Sequence, residues 1–194
     1  MPCLEIDLPI RKPLFKRVRF AYLSKIDGYG LSDGGSLVYL RTMRVSGSGN
    51  GAFRSIGRNY REWDYLKDAG YHAQKLAKAF DSATFDAVIT PPSRYPQSLT
   101  FKSAFVKSGK TGVDLSDLIQ REKEVYAATG PNFEFFCNAL TCKGGNDLSE
   151  CRSLLIVDDI LWRGITAAGV LTHLRRHGLS DEARIYLACP LWIG

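Results

Sequence analysis

The clearest pattern of hydrophobic and polar positions lies in residues 153–178. It opens with four consecutive apolar residues, 154–157, and a run this short and branched predicts a buried parallel strand. After a short loop, apolar residues return at three-residue spacing, which predicts a helix with one buried side; they are Ile165, Ala168, Leu171 and Leu174. Gly178 follows a basic last turn and predicts the end of this helix.

The same periods predict further helices and strands before and after this stretch. Apolar residues recur at helical spacing in residues 65–80 and again in residues 115–128. Short apolar or aromatic runs predict strands at 85–90, 133–140 and 184–190. Because helices and strands alternate, we predict a single α/β domain whose central, mostly parallel sheet is flanked by helices, with its core in residues 61–194.

Residues 1–60 have a different character, because Pro, Gly and Ser interrupt them often. Basic and apolar residues alternate in residues 11–20, and residues 37–45 are the best candidate strand of this part. A Gly- and Ser-rich segment follows at residues 46–51 and predicts a loop or hairpin tip. We therefore predict a β-rich hood or arm that belongs to the same unit as the core.

The charge is distributed unevenly along the 194 residues, a length that suffices for one domain with a sizeable core. The formal net charge is +6, and residues 1–75 carry 13 Lys and Arg against 7 Asp and Glu. In residues 76–194 the two signs balance. A basic amino-terminal part is suited to phosphorylated ligands or nucleic acid, and the alternative is an ordinary solvated face.

The sequence also predicts the compartment. No apolar run approaches the length of a membrane span, and the amino-terminal residues lack the basic and then apolar pattern of a signal peptide. We expect a cytoplasmic protein without a membrane association. The five cysteines are an odd number, which favours free thiols over a disulfide framework, and their spacings do not match the paired pattern of a zinc site.

Candidate chemistry lies where the predicted strand 154–157 ends. Asp158 and Asp159 follow it directly, and ligands bind at the carboxyl ends of strands in an open α/β sheet. Carboxylates accept hydrogen bonds from a diol. The helix that begins near Ile165 offers free N–H groups and the positive end of its dipole, which suits a phosphate.

Residues 154–166, LLIVDDILWRGIT, resemble the signature of the type I phosphoribosyltransferases: four apolar residues, two acids, a variable stretch, then Gly and Thr. The resemblance covers roughly residues 65–192, and residues 65–70 are loosely similar to a motif of the competence-associated ComF group. It implies that Asp158 and Asp159 are catalytic and face the ribose hydroxyls of phosphoribosyl pyrophosphate. It also implies a loop that wraps the 5′-phosphate, formed by Arg163, Gly164, Ile165 and Thr166.

The phosphate loop departs from the family pattern at one place. Trp162 and Arg163 stand where the family usually has two Thr before the Gly. Since such a loop works through backbone N–H groups, we expect it to keep its shape and the Arg163 guanidinium to add to phosphate binding. The opposing hypothesis is that Trp162 fills the phosphate site.

The resemblance also implies roles for two segments that precede the signature. The Pro-containing loop after strand 85–90 is expected to bind pyrophosphate through Pro92, Ser93 and Arg94. The stretch 98–111 is expected to be a mobile loop that closes over the site, so that its lysines meet the leaving pyrophosphate; they are Lys102, Lys107 and Lys110.

The activity implied is Mg²⁺-dependent transfer of a 5-phosphoribosyl group to or from a nitrogenous base, with phosphoribosyl pyrophosphate and a base or nucleotide as partners. Mg²⁺ is expected to be held through substrate oxygens, with Asp158 and Asp159 as the candidate protein ligands. One alternative is a non-catalytic accessory protein of the same fold that is linked to nucleic acid. A homodimer is retained as an alternative to a monomer.

A P-loop nucleotide hydrolase is the alternative from another class. Residues 104–111, AFVKSGKT, fit a relaxed P-loop pattern with Ala in place of the first Gly, and strand 154–157 would be the Walker B strand. A P-loop requires a strand directly before it and a helix directly after it. The order of the elements around Lys110 therefore tests this alternative.

Overall fold

A computed structural model describes residues 3–6, 18–22, 74, 76–80, 83–93, 97–122, 133–144, 147–158, 160–161, 164–189 and 191–192. Residues 76–78 are helical. The labelled elements, in chain order, are β1 (Cys3–Ile6), β2 (Val18–Tyr22), β3 (Phe85–Ile89), α1 (Gln97–Lys107), β4 (Thr111–Asp114), β5 (Ile119–Arg121), α2 (Phe133–Asn138), β6 (Leu140–Cys142), β7 (Ser153–Val157), β8 (Ile160–Leu161), α3 (Ile165–Arg176), β9 (Arg184–Cys189) and β10 (Leu191–Trp192).

The main sheet has six strands in the order β1-β2-β9-β7-β3-β4. β1 runs antiparallel to β2, and every other neighbouring pair is parallel. The predicted α/β architecture with a central, mostly parallel sheet is therefore confirmed. The two described strands of residues 1–60 extend this sheet, and the rest of the predicted hood or arm lies outside the described residues.

The connections diverge between β3 and β7. From β3 the chain passes through α1 to β4 on one side, and from β7 it passes through α3 to β9 on the other. Because parallel crossovers are right-handed, these two helices lie on opposite faces of the sheet. The gap between the carboxyl ends of β3 and β7 is a topological switch point, which is where open α/β sheets bind their ligands.

One face of the sheet packs against α2 and α3. Alternate residues of the three central strands point to this face and join a single buried cluster; they are Ala87, Ile89, Leu154, Ile156, Ile185 and Leu187. Phe136 of α2 is fully buried in it. Gly169 of α3 lies so close that a Cβ there would be 3.1 Å from carbons of Phe136 and Leu140. The absence of a side chain at Gly169 allows α2 and α3 to approach closely.

The opposite face is covered by aromatic side chains. Phe80, Phe85 and Tyr186 form an edge-to-face group with ring centroids 5.0–5.6 Å apart. Phe101 and Phe105 of α1 are fully buried. Their four-residue spacing is that of a helix with one buried side. In the described part of the chain, no helix combines the length and the apolar character that a membrane crossing needs.

The strands predicted at 85–90, 154–157 and 184–190 are confirmed, as is the helix after Gly164. The strand predicted at 133–140 is wrong, because residues 133–138 form α2. Its aromatic run has strand propensity, but burial of Phe136 and Cys137 against α3 favours a helix here. Nε2 of His173 donates a hydrogen bond to the Cys137 carbonyl (2.8 Å) and fixes the pair of helices.

The helix predicted at 115–128 is also wrong where the structure describes it. Residues 116–118 form a turn, and residues 119–121 form β5, which pairs antiparallel with β6. Ile119 is buried in the core while Gln120 is exposed, which is the alternation of a half-buried strand. Residues 123–128 lie outside the described residues.

Candidate functional site

Asp158 stands at the carboxyl end of β7, in the middle of the main sheet. Its backbone N–H donates to the Ala188 carbonyl (3.0 Å), so it is still tied to β9. Asp158 is 7% exposed. Extending the register of β3 and β7 beyond Ile89 and Ile156 places Pro91 beside Asp158. The structure thus brings one residue of the predicted acidic pair to the switch point; Asp159 lies outside the described residues.

The segment after Asp158 leads directly into the first turn of α3. Gly164 precedes the helix in the left-handed conformation (φ 69°), which residues with a Cβ rarely adopt. Its carbonyl accepts the first helical hydrogen bond, from the N–H of Ala168 (3.0 Å). Because Gly164 has no side chain to cap the helix, the N–H groups of Ile165 and Thr166 remain available at a helix start. Trp162 and Arg163 lie outside the described residues.

A small parallel ladder borders this loop. β8 pairs with β10, so that Leu161 is the partner of Trp192. Neither strand was predictable from the sequence, since each has only two residues. The ladder places the backbone of Trp192 beside Leu161, two residues before the phosphate loop predicted at Arg163, Gly164, Ile165 and Thr166.

Two buried hydroxyl groups flank the loop that follows β3. Thr90 and Ser98 are 3% and 0% exposed, and neither side-chain oxygen has a hydrogen-bond partner among the described residues. Leaving a buried hydroxyl without a partner is costly, and such groups often belong to sites for a ligand or a water molecule. Between them, Pro92 is half-buried and Ser93 is exposed, while Arg94 lies outside the described residues.

Lys102 reaches the same end of the sheet from α1. Its ammonium group is 2.7 Å from a carboxylate oxygen of Asp114 and donates to the Ser116 hydroxyl oxygen (3.1 Å). The same hydroxyl oxygen accepts a hydrogen bond from the backbone N–H of Thr90 (2.9 Å). One serine therefore connects the Lys102 ammonium to the carboxyl end of β3.

These contacts change the acidity of Asp114. Burial by itself would raise its pKa, but hydrogen bonds from Lys102 and Ser116 outweigh it and hold the pKa below its usual value of 3.8. A carboxylate with a lowered pKa adds stability above its usual pKa, and this stability is lost as the pH falls through the lowered value. The ion pair is half-exposed at Asp114, so the contribution is that of a screened pair.

We expect Asp114→Asn to lower the free energy of unfolding at pH 7 by up to about 1 kcal/mol, as for a partly exposed ion pair. The difference from the unmodified chain should shrink as the pH falls below about 4, because protonated Asp114 no longer pairs with Lys102. Thermal melts between pH 7 and pH 2 measure this. The exposed Asp117→Asn is the control, and an equal change in both variants would contradict the role of the pair.

The stretch predicted as a mobile loop is in fact mainly helix. Residues 97–107 form α1, because Phe101 and Phe105 bury on one side of it. Of the three lysines, Lys102 alone lies near the switch point. Lys107 is in the last turn of α1, and the Lys110 carbonyl accepts from the N–H of Phe85, at the amino end of β3. Both lie at the amino ends of the parallel strands, whereas Asp158 lies at their carboxyl ends.

The P-loop alternative is wrong for the same reason. Residues 104–107 end a helix, and β4 begins at Thr111, so a helix precedes the Gly-Lys-Thr sequence and a strand follows it. This is the reverse of the order that a P-loop requires. The backbone N–H groups around Lys110 therefore do not lie at the start of a helix.

Within the described residues, no group of three or more His, Cys, Asp or Glu side chains is arranged to hold a metal ion. Asp158 is a single buried carboxylate at the switch point. Mg²⁺ commonly binds to one or two carboxylates and completes its coordination with water and substrate phosphates. The described residues fit a Mg²⁺ ion that arrives with a phosphorylated substrate.

No protein-family model and no curated protein matches this chain. Among solved structures, it is similar to a purine phosphoribosyltransferase from Pyrococcus horikoshii, with 19% identity, 68% of this chain and 83% of that chain covered, and a TM-score of 0.39. It is also similar to adenine phosphoribosyltransferases from Thermoanaerobacter pseudethanolicus (16%, 66% and 81%, 0.44) and Leishmania tarentolae (15%, 72% and 74%, 0.39). At these values we base the function of this chain on its own residues.

Proposed function

We propose that this chain binds phosphoribosyl pyrophosphate at the carboxyl ends of β3 and β7 and transfers its 5-phosphoribosyl group to or from a nitrogenous base. The observation that carries the proposal is the position of the signature-like segment. Its acidic residue Asp158 ends a central strand at the switch point, and its Gly164 begins α3 in a left-handed conformation. A diol acceptor and a phosphate site thus follow one another along a single segment.

In this proposal the two acids hold the ribose. Asp158 accepts hydrogen bonds from the ribose hydroxyls, and its burial strengthens bonds to a charged acceptor. Asp159 is proposed to share this role. The 5′-phosphate binds at the start of α3, where it accepts hydrogen bonds from backbone N–H groups and from the Thr166 hydroxyl, with Arg163 as an additional cationic donor.

The pyrophosphate is proposed to bind at the end of β3, on the loop of Pro92, Ser93 and Arg94. The hydroxyls of Thr90 and Ser98 support this position, because they are buried donors to which the described residues offer no acceptor. α1 begins at the end of this loop and has 11 residues, so its positive dipole end faces the same region. Lys102 contributes a positive charge through its contact with Ser116.

The reaction breaks the bond between C1 of the ribose and the pyrophosphate oxygen, and the lone pair of a ring nitrogen forms the new bond to C1. When bound, Mg²⁺ supplies charge neutralisation for the departing pyrophosphate. The chain holds the ribose through Asp158 and the two phosphate ends at the starts of α3 and α1. Fixing both ends of the donor orients C1 toward the attacking nitrogen, and such positioning accounts for much of catalysis.

The test is calorimetric titration with phosphoribosyl pyrophosphate in the presence of Mg²⁺. Asp158→Asn is nearly isosteric, so the fold should survive while the affinity falls by about 10- to 150-fold, the equivalent of a lost hydrogen bond to a charged group. The matched control is Asp117→Asn, an exposed carboxylate outside the site, which should leave the affinity unchanged.

Two results would overturn the proposal. One is the absence of phosphoribosyl pyrophosphate binding to the unmodified chain. The other is equal affinity of the unmodified chain and Asp158→Asn, with equal melting temperatures. Pyrophosphate release with adenine, hypoxanthine, guanine and uracil in turn then identifies the acceptor, and binding without release with any base would make the chain a sensor of this sugar phosphate.

A further inference from the structure

A cavity lies at the carboxyl end of α3, away from the proposed active site. Its volume is about 280 Å³, and it is bounded by the turn before β5, the end of β6, the loop before β7 and the last turn of α3. We call it the cationic pocket, and it is defined by Leu118, Cys142, Lys143, Leu148, Arg176 and His177. α3 has 12 residues, so its two ends are about 18 Å apart. The cationic pocket is therefore separate from the proposed active site.

The lining combines an apolar floor with a basic rim. Leu148 is buried and Leu118 is half-buried, while Lys143, Arg176 and His177 are exposed at the mouth. None of the described lining residues is acidic. Asp147 adjoins the pocket in sequence, but its carboxylate accepts a hydrogen bond from the Ser149 N–H (2.9 Å) and does not line the cavity.

The basic groups of the rim are not used for capping the helix. The last carbonyls of α3 accept hydrogen bonds from backbone N–H groups: His173 and Leu174 from His177, and Arg175 from Gly178. The neighbouring Arg175 pairs with Asp181, whereas Lys143 and Arg176 form no ion pair with any described residue. Lys143 and Arg176 therefore line a small cavity without a negative partner in the described part of the chain.

We propose that the cationic pocket binds a small phosphate monoester with a compact apolar body. The phosphate is a divalent anion near neutral pH, so it pairs with Lys143 and Arg176 and accepts a hydrogen bond from His177. The apolar body rests on Leu118 and Leu148. The volume is just below the usual range for small-molecule sites, which limits the body to about one ring.

Cys142 provides a reporter inside the pocket. Its thiol is half-buried there, and burial raises the pKa of the thiol, which slows its reaction with alkylating reagents. Three further cysteines are buried, and they are Cys137, Cys151 and Cys189. Alkylation of Cys142 by iodoacetamide, followed by peptide mass spectrometry, measures access to Cys142 separately from every other cysteine.

The experiment uses phenyl phosphate as the probe. We expect it to slow alkylation of Cys142, whereas benzyl alcohol at the same concentration, with a similar ring and no charge, should not. In the double variant Lys143→Gln, Arg176→Gln, about tenfold more phenyl phosphate should be needed for the same protection, as for a lost charged hydrogen bond. Lys78→Gln is the control, because Lys78 is an exposed cation outside the pocket.

Three results would overturn this inference: no protection by phenyl phosphate, equal protection by benzyl alcohol, or equal protection in the double variant. If the double variant does not fold, Lys143→Gln alone decides the matter, since Lys143 is exposed and outside the helices. Asp158→Asn should retain the protection in full. The inference therefore stands or falls independently of the proposed phosphoribosyl transfer.

Discussion

Phe136→Ala is expected to lower the free energy of unfolding by about 3–5 kcal/mol, the usual cost of removing a buried phenyl ring. Phe136 is 0% exposed and lies between the sheet and α3, against Gly169. Its removal would leave a cavity that the backbones of α2 and α3 cannot fill, because Nε2 of His173 and the Cys137 carbonyl hold the two helices together (2.8 Å). Urea denaturation measures the loss.

A double-mutant cycle with Gly169→Ala sharpens this prediction. Alone, the added Cβ would lie 3.1 Å from two carbons of the Phe136 ring, and overpacking of this kind costs about 1–3 kcal/mol. In the Phe136→Ala background the ring is gone, and of the three close contacts of the methyl group only the one with Leu140 remains. The cost of Gly169→Ala should then fall, so the two changes should not be additive.

Phe133→Ala is the matched control on the same helix. Phe133 is half-buried and only borders the core, so its loss should cost clearly less than the loss of Phe136. Equal costs at the two positions, or strict additivity of Phe136→Ala and Gly169→Ala, would contradict the packing of α2 on α3. Such a result would favour the strand that the sequence predicts for residues 133–140.

Gly112→Ala should also destabilise the chain strongly, by about 3 kcal/mol or more, at the upper end of the range for overpacking. A Cβ at this position would lie 2.3 Å from the backbone oxygen of Asp86 in β3. A backbone atom within the sheet cannot rotate away as a side chain does. The edge strand β4 must therefore separate from β3, and with it Asp114, which holds Lys102 and Ser116.

Gly144→Ala is the control for this change. Gly144 is exposed, and nothing lies within 4 Å of a Cβ built there, so the melting temperature should hardly change. Amide hydrogen exchange gives a local readout, because the N–H groups of β4 should lose protection in Gly112→Ala while those of β9 keep it. A melting temperature equal to that of Gly144→Ala would contradict the close approach of β4 to β3.

The elements that the sequence predicted well are those whose local pattern agrees with their packing. The apolar run before Asp158 is central in the sheet, and the buried side of α3 matches its three-residue spacing. Residues 133–138 failed because their aromatic side chains favour a strand locally, while packing on α3 requires a helix. The loop predicted at residues 98–111 is mainly helix, because Phe101 and Phe105 bury at four-residue spacing, a pattern that the family resemblance does not include.

The candidate site likewise contains residues that the local sequence predicts and residues that only the fold brings together. Asp158 and Gly164 were predictable from their neighbours in the sequence. Asp158 directly follows an apolar strand, and Gly164 directly precedes a helical pattern. Thr90, Ser98 and Ser116 were missed, because nothing in a sequence shows that a hydroxyl is buried without a partner or bridges two elements. Lys107 and Lys110 lie at the amino ends of β3 and β4, because α1 runs back along the sheet before β4 begins, and a linear sequence does not show this reversal.

The order of the main sheet has a consequence for synthesis on the ribosome. β1 and β2 emerge first, yet their neighbour in the sheet is β9, which begins more than 160 residues after β2 ends. Until β9 has emerged, the exposed edges of β2 and β7 both remain open for pairing with another chain. A nascent chain that stalls before Arg184 therefore exposes two strand edges that can pair with another chain. The main sheet is complete only after β9 has left the ribosome and paired with β2 and β7.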